Sequence, residues 1–409
     1  MNISRKPPAS RFSAGGRLYY TKVTDIDCVK FLNCLLRSGA HLYFQRSAQA
    51  QQLLCTTNRS IWHSEMCASV PDLSAAGQAQ ARMARLLARS SPPQLERCLL
   101  SARGVTHELS RVAPLQPHAS LRVVCVPGNP GCSAWYDDYS LALHERLGGR
   151  AEVVTLGYAG HGLEERDGGR VFSFEEQSQQ LAAAIGALAD EQAHPGAPFV
   201  LVGHSIGGYF CLESAREAQL GERVAAVVGL TPFLESNHKS GKQRFLRAIA
   251  GLFAARQLTA AFVTLVNLLP RAVQTLAVGA LAGLQGRAAD VALTTLVNRG
   301  RWGAGLRNYT FMGSGEMEAF AVRGKYCREH LRSVAQKTML IYAEDDHWAP
   351  TEHRDAIAND VPEMRMASAR GFEKHDFPTC ERQSLGAAED TMRAFEALGL
   401  LEHTEMVAA

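Results

Sequence analysis

The feature that most constrains the fold of this chain is an alternation of apolar, strand-like runs with helix-like segments, which begins at Leu121. The runs LRVVCV, AEVVTL, PFVLVG and RVAAVVG are rich in β-branched residues, and such runs are typical of strands buried on both faces. Segments with helical patterning lie between them, and a helix between two strands is the usual crossover of a parallel sheet. The pattern predicts an α/β chain with a mostly parallel, doubly wound sheet.

The alternation divides the chain into three parts. Residues 1–118 show no strong periodicity, so we expect an N-terminal extension that is a transit peptide or is partly disordered. Residues 119–402 carry the alternation and are predicted to form the main domain. Residues 233–320 interrupt it, and we expect them to form a helical insertion within that domain.

The first 24 residues are basic and contain no acid. Their cations are Arg5, Lys6, Arg11, Arg17 and Lys22, a composition that suits an organelle transit peptide. A disordered basic tail or a mis-called start codon would look the same. If this segment is a transit peptide, the mature protein would lie in a plastid or mitochondrion.

The composition excludes several classes of function. The net charge is only +3 over 409 residues, which gives no general basis for binding nucleic acid. The ten cysteines are scattered and include no C-x-x-C pair, which argues against zinc ribbons and thioredoxin-like sites. We therefore expect no metal and no organic cofactor.

The stretch GHSIG, residues 203–207, predicts an activated serine. A buried strand precedes Ser205 and a helix follows it, which is the setting of a nucleophile elbow. Gly203 and Gly207 would let the backbone pass at close range through a strained turn. A phosphate-binding loop is the alternative, but neither G-x-x-x-x-G-K-[ST] nor G-x-G-x-x-G is present.

A nucleophilic serine needs a base, and the base needs an acid to orient it. His375 follows the last predicted strand and suits the base, whereas His347 lies too close to the candidate acids to reach Ser205. Asp345 and Asp346 both suit the acid, and the residues alone leave the choice open. The backbone N–H groups of Ile206 and Asn129 are predicted to form the oxyanion hole.

Four motifs resemble the lipid droplet-associated serine hydrolase family, a branch of the α/β-hydrolases. They are VPGNPGCSAWYDDYSLAL, GYAGHG, LVGHSIGGYF and DHWAP…HDF, and the resemblance runs from about Leu121 to Leu401. It implies an α/β-hydrolase fold with a helical, apolar lid or insertion. The family nucleophile falls on Ser205, the acid of its D-x-W-x-P loop on Asp346 and the histidine on His375. The resemblance also implies an esterase that acts on neutral lipid or sterol esters at a droplet surface.

The insertion carries signs of contact with a membrane. Residues 236–289 hold seven cations and no acid, around uncharged runs of 14 and 15 residues that Pro270 and Arg271 separate. As helices these runs would be roughly 21 to 23 Å long, which is short of a bilayer core of about 30 Å. A hairpin in one leaflet, with its arginines among anionic headgroups, fits this pattern. A mobile lid over a pocket is the alternative.

These observations predict a serine esterase or lipase at a lipid droplet or endoplasmic reticulum surface. A lipid acyltransferase would use the same acyl-enzyme with an alcohol in place of water. A third possibility is a weakly active protein that binds the droplet surface. The expected partners are a neutral lipid or sterol ester and the lipid surface, with no nucleic acid.

Overall fold

The computed structural model describes residues 93–401, apart from 165, 192, 238, 242, 245–255, 298–302 and 324–325. The transit-peptide hypothesis concerns a segment outside the described residues.

The described chain contains one eight-stranded sheet. Its strands are β1 (Leu95–Ala102), β2 (Val105–Val112), β3 (Leu121–Val126), β4 (Ala151–Leu156), β5 (Phe199–His204), β6 (Val224–Leu230), β7 (Thr338–Tyr342) and β8 (Arg365–Ser368). The order across the sheet is β1-β2-β4-β3-β5-β6-β7-β8. The β1/β2 and β2/β4 pairs are antiparallel, and all other neighbours are parallel. The predicted mostly parallel, doubly wound sheet is confirmed.

Helices connect these strands. They are α1 (Asp137–Arg146), α2 (Phe174–Asp190), α3 (Ile206–Arg216), α4 (Ala218–Gly221), α5 (Arg256–Asn267), α6 (Arg271–Ala282), α7 (Gly286–Ala292), α8 (Ala304–Arg323), α9 (Arg328–Val334), α10 (Thr351–Asp360) and α11 (Glu381–Ala397). Short 3-10 turns lie at Ser133–Tyr136, Ala335–Lys337 and Phe377–Thr379, and a π-helical segment lies at Leu293–Val297.

The central strands bury both faces, because successive side chains of a strand point to opposite sides. In β3, Val124 joins the core that contains α2 and α3, whereas Val123 joins the core that contains α1 and α11. Leu201 and Val200 of β5 divide in the same way. A continuous apolar run is therefore what this position in the sheet requires.

Helix α2 begins with the predicted capping box. The Ser173 side chain accepts from the Glu176 N–H over 3.1 Å, and the Glu176 carboxylate accepts from the Ser173 N–H over 2.8 Å. Two N–H groups that lack intrahelical partners are satisfied in this way.

The predicted domain boundary at residue 118 is wrong, because the sheet begins at Leu95. β1 and β2 form a hairpin through Arg103 and Gly104, which have φ values of 48° and 75°. The sequence pattern does not indicate β2 because its side chains are largely polar: Arg111, for example, lies 3.2 Å from Glu152 and 3.0 Å from Glu191. Ion pairs stabilise these positions, so no apolar run marks the strand.

The insertion between β6 and β7 includes helices α5 to α9, and α8 ends three residues beyond the predicted limit at residue 320. No single described helix is long and apolar enough to cross a membrane. One bent pair, Gln257–Asn267 with Arg271–Ala280, passes that test jointly, with an angle of 119° between its helices.

Two of the insertion's cations lie beside carboxylates. Arg287 donates to Asp137 over 3.0 Å and to Asp138 over 2.6 Å, and Arg271 lies 3.2 Å from Asp290. These acids lie outside residues 236–289, and the side chains of Arg271 and Arg287 stay 47% and 39% exposed beside them. Lys242 and Arg247 lie outside the described residues.

Candidate active site

Ser205 lies at a sharp turn between β5 and α3. Its backbone has φ 54° and ψ −125°. This region of backbone conformation is energetically unfavourable for any residue other than glycine. The Ser205 N–H donates to the carbonyl of Leu230 over 3.0 Å, and its own carbonyl accepts from Gly208 and Phe233 at 3.0 Å each. Backbone bonds on both sides of the turn therefore hold the strained conformation in place.

The two predicted elbow glycines lie where no side chain fits. A Cβ at Gly203 would lie 2.5 Å from the carbonyl oxygen of Gly207, and one at Gly207 would lie 2.2 Å from the carbonyl oxygen of Val126. Both contacts are to backbone, which cannot rotate away. The helix and the strands can approach this closely only because both residues are glycine.

The structure brings together the three side chains that the sequence singled out. The Nε2 atom of His375 lies 2.8 Å from the Oγ of Ser205, and its Nδ1 lies 2.7 Å from the Oδ2 of Asp346. Ser205 follows β5, Asp346 follows β7 and His375 follows β8. These parallel strands end at the same edge of the sheet, which is why distant segments meet.

The carboxylate of Asp346 is buried and fully hydrogen-bonded. Its Oδ1 accepts from the N–H groups of Trp348 over 2.7 Å and Ala349 over 3.0 Å. Burial by itself would raise the pKa of Asp346, but the charge and hydrogen bond of His375, with these two N–H donors, outweigh it and lower that pKa. Asp345 instead is exposed and bridges through its backbone to Lys374.

The loop after β3 passes against Ser205. A Cβ at Gly128 would lie 2.9 Å from the Cβ of Ser205. The next residue, Asn129, therefore also lies close to Ser205. The Asn129 side chain donates to the carbonyl of Tyr309 over 3.0 Å, which directs it to helix α8. Ile206 is the first residue of α3, where an N–H has no intrahelical acceptor.

Two residues at the site, His204 and Tyr136, were not predicted from the sequence. His204 precedes the elbow serine, and Nδ1 of its buried ring lies 2.6 Å from the hydroxyl of Tyr136. Burial, with a smaller contribution from His375, lowers the pKa of His204 to about 3. The histidine within GHSIG could have drawn attention to His204, but its partner Tyr136 is remote in sequence.

Glu316 is a third unpredicted residue near the site. It is buried on α8, and its side chain interacts with the amide of Asn129. Burial raises its pKa to about 8, so a carboxylic acid and not a carboxylate faces the loop at neutral pH. Among the described residues, no cluster of three His, Cys, Asp or Glu side chains could hold a metal ion.

Sequence comparison finds relatives of this chain in one protein family. The sequence profile of a family described as lipid-droplet associated hydrolase matches residues 119–378. A Homo sapiens protein named lipid droplet-associated hydrolase is 27% identical over 276 residues, which cover 65% of this chain and 82% of the human one. A Dictyostelium discoideum protein of the same name is 21% identical over 267 residues, covering 64% and 84%.

Among solved structures, the haloalkane dehalogenase DatA from Agrobacterium tumefaciens C58 superimposes with a TM-score of 0.53. It is 15% identical in sequence and covers 74% of this chain and 97% of its own. At that identity the likeness concerns the fold alone.

Proposed function

The chain belongs to the lipid-droplet associated hydrolase family, and from this membership we propose that it is a serine esterase or lipase. Its substrates are carboxylic esters of neutral lipids or sterols, cleaved at the surface of a lipid droplet or of the endoplasmic reticulum. The observation that carries the proposal is the pair of hydrogen bonds that His375 forms with Ser205 and with Asp346, 2.8 Å and 2.7 Å long.

The proposed reaction begins with acylation. Nε2 of His375 takes the hydroxyl proton as the Oγ of Ser205 attacks the ester carbonyl carbon. Asp346 accepts from Nδ1 and stabilises the resulting imidazolium. His375 then gives the proton to the departing alcohol, and the acyl group remains on Ser205. Water repeats the sequence in the second half and releases the acid.

The backbone N–H groups of Ile206 and Asn129 would stabilise the oxyanion of each tetrahedral intermediate. The helix start at Ile206 supports this role, because its N–H is left for an external acceptor. The close passage of the loop at Gly128 past Ser205 supports the second donor.

The proposal that the protein acts at a lipid surface is supported by the large apolar side chains that α5 exposes. Leu258, Phe262 and Leu265 recur at helical spacing on its exposed side, whereas Thr259 and Val263 face Gly303 and are 0% and 5% exposed. A helix of a water-soluble protein presents the opposite arrangement. An exposed apolar stripe of this kind marks an interaction surface.

Helix α6 continues this surface. Leu268, in the turn, and Leu276 are 76% and 72% exposed. The polar Gln274 is buried instead and donates to the carbonyls of Val266 over 3.2 Å and Leu269 over 3.0 Å. The pair α5–α6 thus buries Gln274 and exposes its large leucines, which suits insertion into one leaflet or monolayer better than a lid that turns its apolar face inward.

The first experiment is labelling of the purified protein with a fluorophosphonate, with detergent or lipid present. We expect strong labelling of the wild type, none of Ser205→Ala, and unchanged labelling of Ser333→Ala, an exposed serine on α9. A folded wild type that does not react would refute the proposed activity and favour a role in binding the droplet surface.

A second assay separates hydrolysis from acyl transfer. A neutral lipid ester is incubated with the protein in water and then with an added sterol or diacylglycerol acceptor. Release of free fatty acid at a rate that the acceptor does not change supports hydrolysis. Acyl transfer to the acceptor in preference to water would identify a lipid acyltransferase instead.

A further inference from the structure

A chain of hydrogen bonds connects the three loops that meet at Ser205. The backbone N–H of Gly128 donates to the hydroxyl of Tyr136 over 2.7 Å. That hydroxyl lies 2.6 Å from Nδ1 of His204, whose Nε2 lies 2.8 Å from the backbone carbonyl oxygen of His375. The chain joins the loop after β3, the elbow after β5 and the loop that carries His375.

The ends of this chain determine the direction of every bond in it. The Gly128 N–H can only donate, and the His375 carbonyl can only accept. His204 must therefore carry its proton on Nε2, and its Nδ1 accepts from the Tyr136 hydroxyl. A proton on Nδ1 as well would leave the Tyr136 hydroxyl hydrogen without its acceptor. Only the neutral imidazole of His204 therefore satisfies every hydrogen bond in the chain.

We propose that His204 and Tyr136 are positioning residues that hold His375 and the Gly128–Asn129 loop at working distance from Ser205. The inference rests on the roles of Ser205 and His375 under the proposed function. Both nitrogens of His204 are already bonded, so His204 is not a second base although it adjoins the nucleophile. Its contact is with the backbone of His375, whereas Asp346 orients the ring of that residue.

The position of His375 in the sheet explains why such support is needed. His375 follows β8, an edge strand whose only neighbour in the described sheet is β7. His204 is the last residue of β5 and Ser205 follows it, and β5 pairs with both β3 and β6. The bond from His204 therefore ties the base at the edge to the central strand that also carries the nucleophile.

Aromatic packing gives this arrangement rigidity. The ring of His204 lies 4.7 Å from that of Phe377 and 5.1 Å from that of His375, measured between centroids. Phe377 also packs edge-on against Tyr136 at 6.2 Å. A Tyr136→Phe change keeps this packing and removes only the hydroxyl.

Two amide substitutions at His204 separate its hydrogen bond to Tyr136 from its hydrogen bond to His375. In His204→Gln, the amide nitrogen reaches about as far as Nε2 and can still donate to the His375 carbonyl. In His204→Asn, the amide ends near the position of Nδ1, so it keeps a partner for Tyr136 but loses the bond to His375. Both variants remove the aromatic ring, and thus each serves as the control for the other.

The test measures fluorophosphonate labelling rates, and kcat and KM on a short soluble ester, well below the unfolding temperature. We expect His204→Asn to lose about tenfold or more in kcat and labelling rate with KM nearly unchanged, because a small displacement of a reacting group has an effect of that order. We expect His204→Gln to recover most of this loss. Equal rates for the Asn variant and wild type would overturn the inference.

A spectroscopic measurement keeps the inference testable without turnover. The proton between Nδ1 of His375 and Asp346 is expected to give a downfield NMR resonance in wild type and in His204→Gln, and to shift or broaden in His204→Asn and Tyr136→Phe. An unchanged resonance in both of the latter would refute the positioning role. A wild type that shows this resonance but does not label would refute the proposed function instead.

Discussion

The Oδ2 atom of Asp346 lies 2.7 Å from Nδ1 of His375, while the preceding residue, Asp345, is exposed to solvent. The two neighbouring acids therefore provide a matched pair. We expect Asp346→Asn to lower kcat for ester hydrolysis by about 10⁴-fold, because the amide favours the wrong tautomer of the histidine. Asp345→Asn should retain nearly full activity. A similar loss in both variants would contradict the assignment of the acid.

The elbow glycine Gly207 is predicted to be intolerant of the smallest side chain. Gly207→Ala would place a methyl carbon 2.2 Å from the carbonyl oxygen of Val126, so we expect a strongly destabilised or insoluble chain. A Cβ at Gly186, on α2, would have nothing within 4 Å of it. Gly186→Ala should leave stability unchanged or raise it by roughly 0.5–1 kcal/mol. Thermal unfolding of the two variants tests this, and equal midpoints would contradict it.

The buried Glu316 is predicted to make stability depend on pH. Its pKa is about 8 in the folded chain against an ordinary value of 4.5, so the folded chain binds more protons between these values. The free energy of unfolding should therefore fall as pH rises through this window. The nearby Tyr158 and Tyr309 have pKa values raised by burial, and both stay neutral here.

Replacement by glutamine removes this titration. We expect Glu316→Gln to match wild type near pH 5 and to exceed it at pH 8 by a few kcal/mol, at about 1.4 kcal/mol per pKa unit. Urea unfolding at both values provides the measurement. Glu318→Gln, exposed on the same helix, is the control and should follow the wild-type curve. If Glu316→Gln does so too, the raised pKa is refuted.

The outer leucines of the α5–α6 hairpin are predicted to carry binding to lipid. We expect the triple change of Leu265, Leu268 and Leu276 to serine to reduce flotation with phosphatidylcholine-coated triolein droplets by more than about tenfold, because each buried leucine contributes roughly 1.5–3 kcal/mol. A triple change of Leu99, Leu115 and Leu385, which are exposed elsewhere, should float normally. Equal flotation of the two variants would rule out the hairpin as the contact.

The parallel part of the sheet could be predicted from the sequence because burial on both faces demands continuous apolar runs there. Hairpin β1–β2 could not be, since polar contacts such as the ion pair of Arg111 on β2 with Glu152, 3.2 Å apart, replace apolar contacts at that side of the sheet. Local sequence patterns indicate buried apolar residues, but they do not indicate ion pairs between residues that are far apart in the sequence.

The candidate site shows the same division. Ser205 lies within a local motif, and the order of the strands limits where its partners can be. Glu316 lies in no motif, and the motif that contains Tyr136 does not reveal its role. Both roles depend on neighbours 187 and 68 residues away, Asn129 and His204. The outward direction of the α5 leucines likewise required the packing of Thr259 and Val263 against Gly303.

The backbone of Ser205 has a consequence for how the chain could be improved. Its φ of 54° carries strain of about 1–3 kcal/mol, more than the roughly 0.4–1 kcal/mol by which a glycine there would favour the unfolded state. A Ser205→Gly chain should therefore fold at least as stably as the natural one. Selection for thermostability alone would drift towards that substitution, so any directed evolution of this protein must screen for turnover as well as for heat resistance.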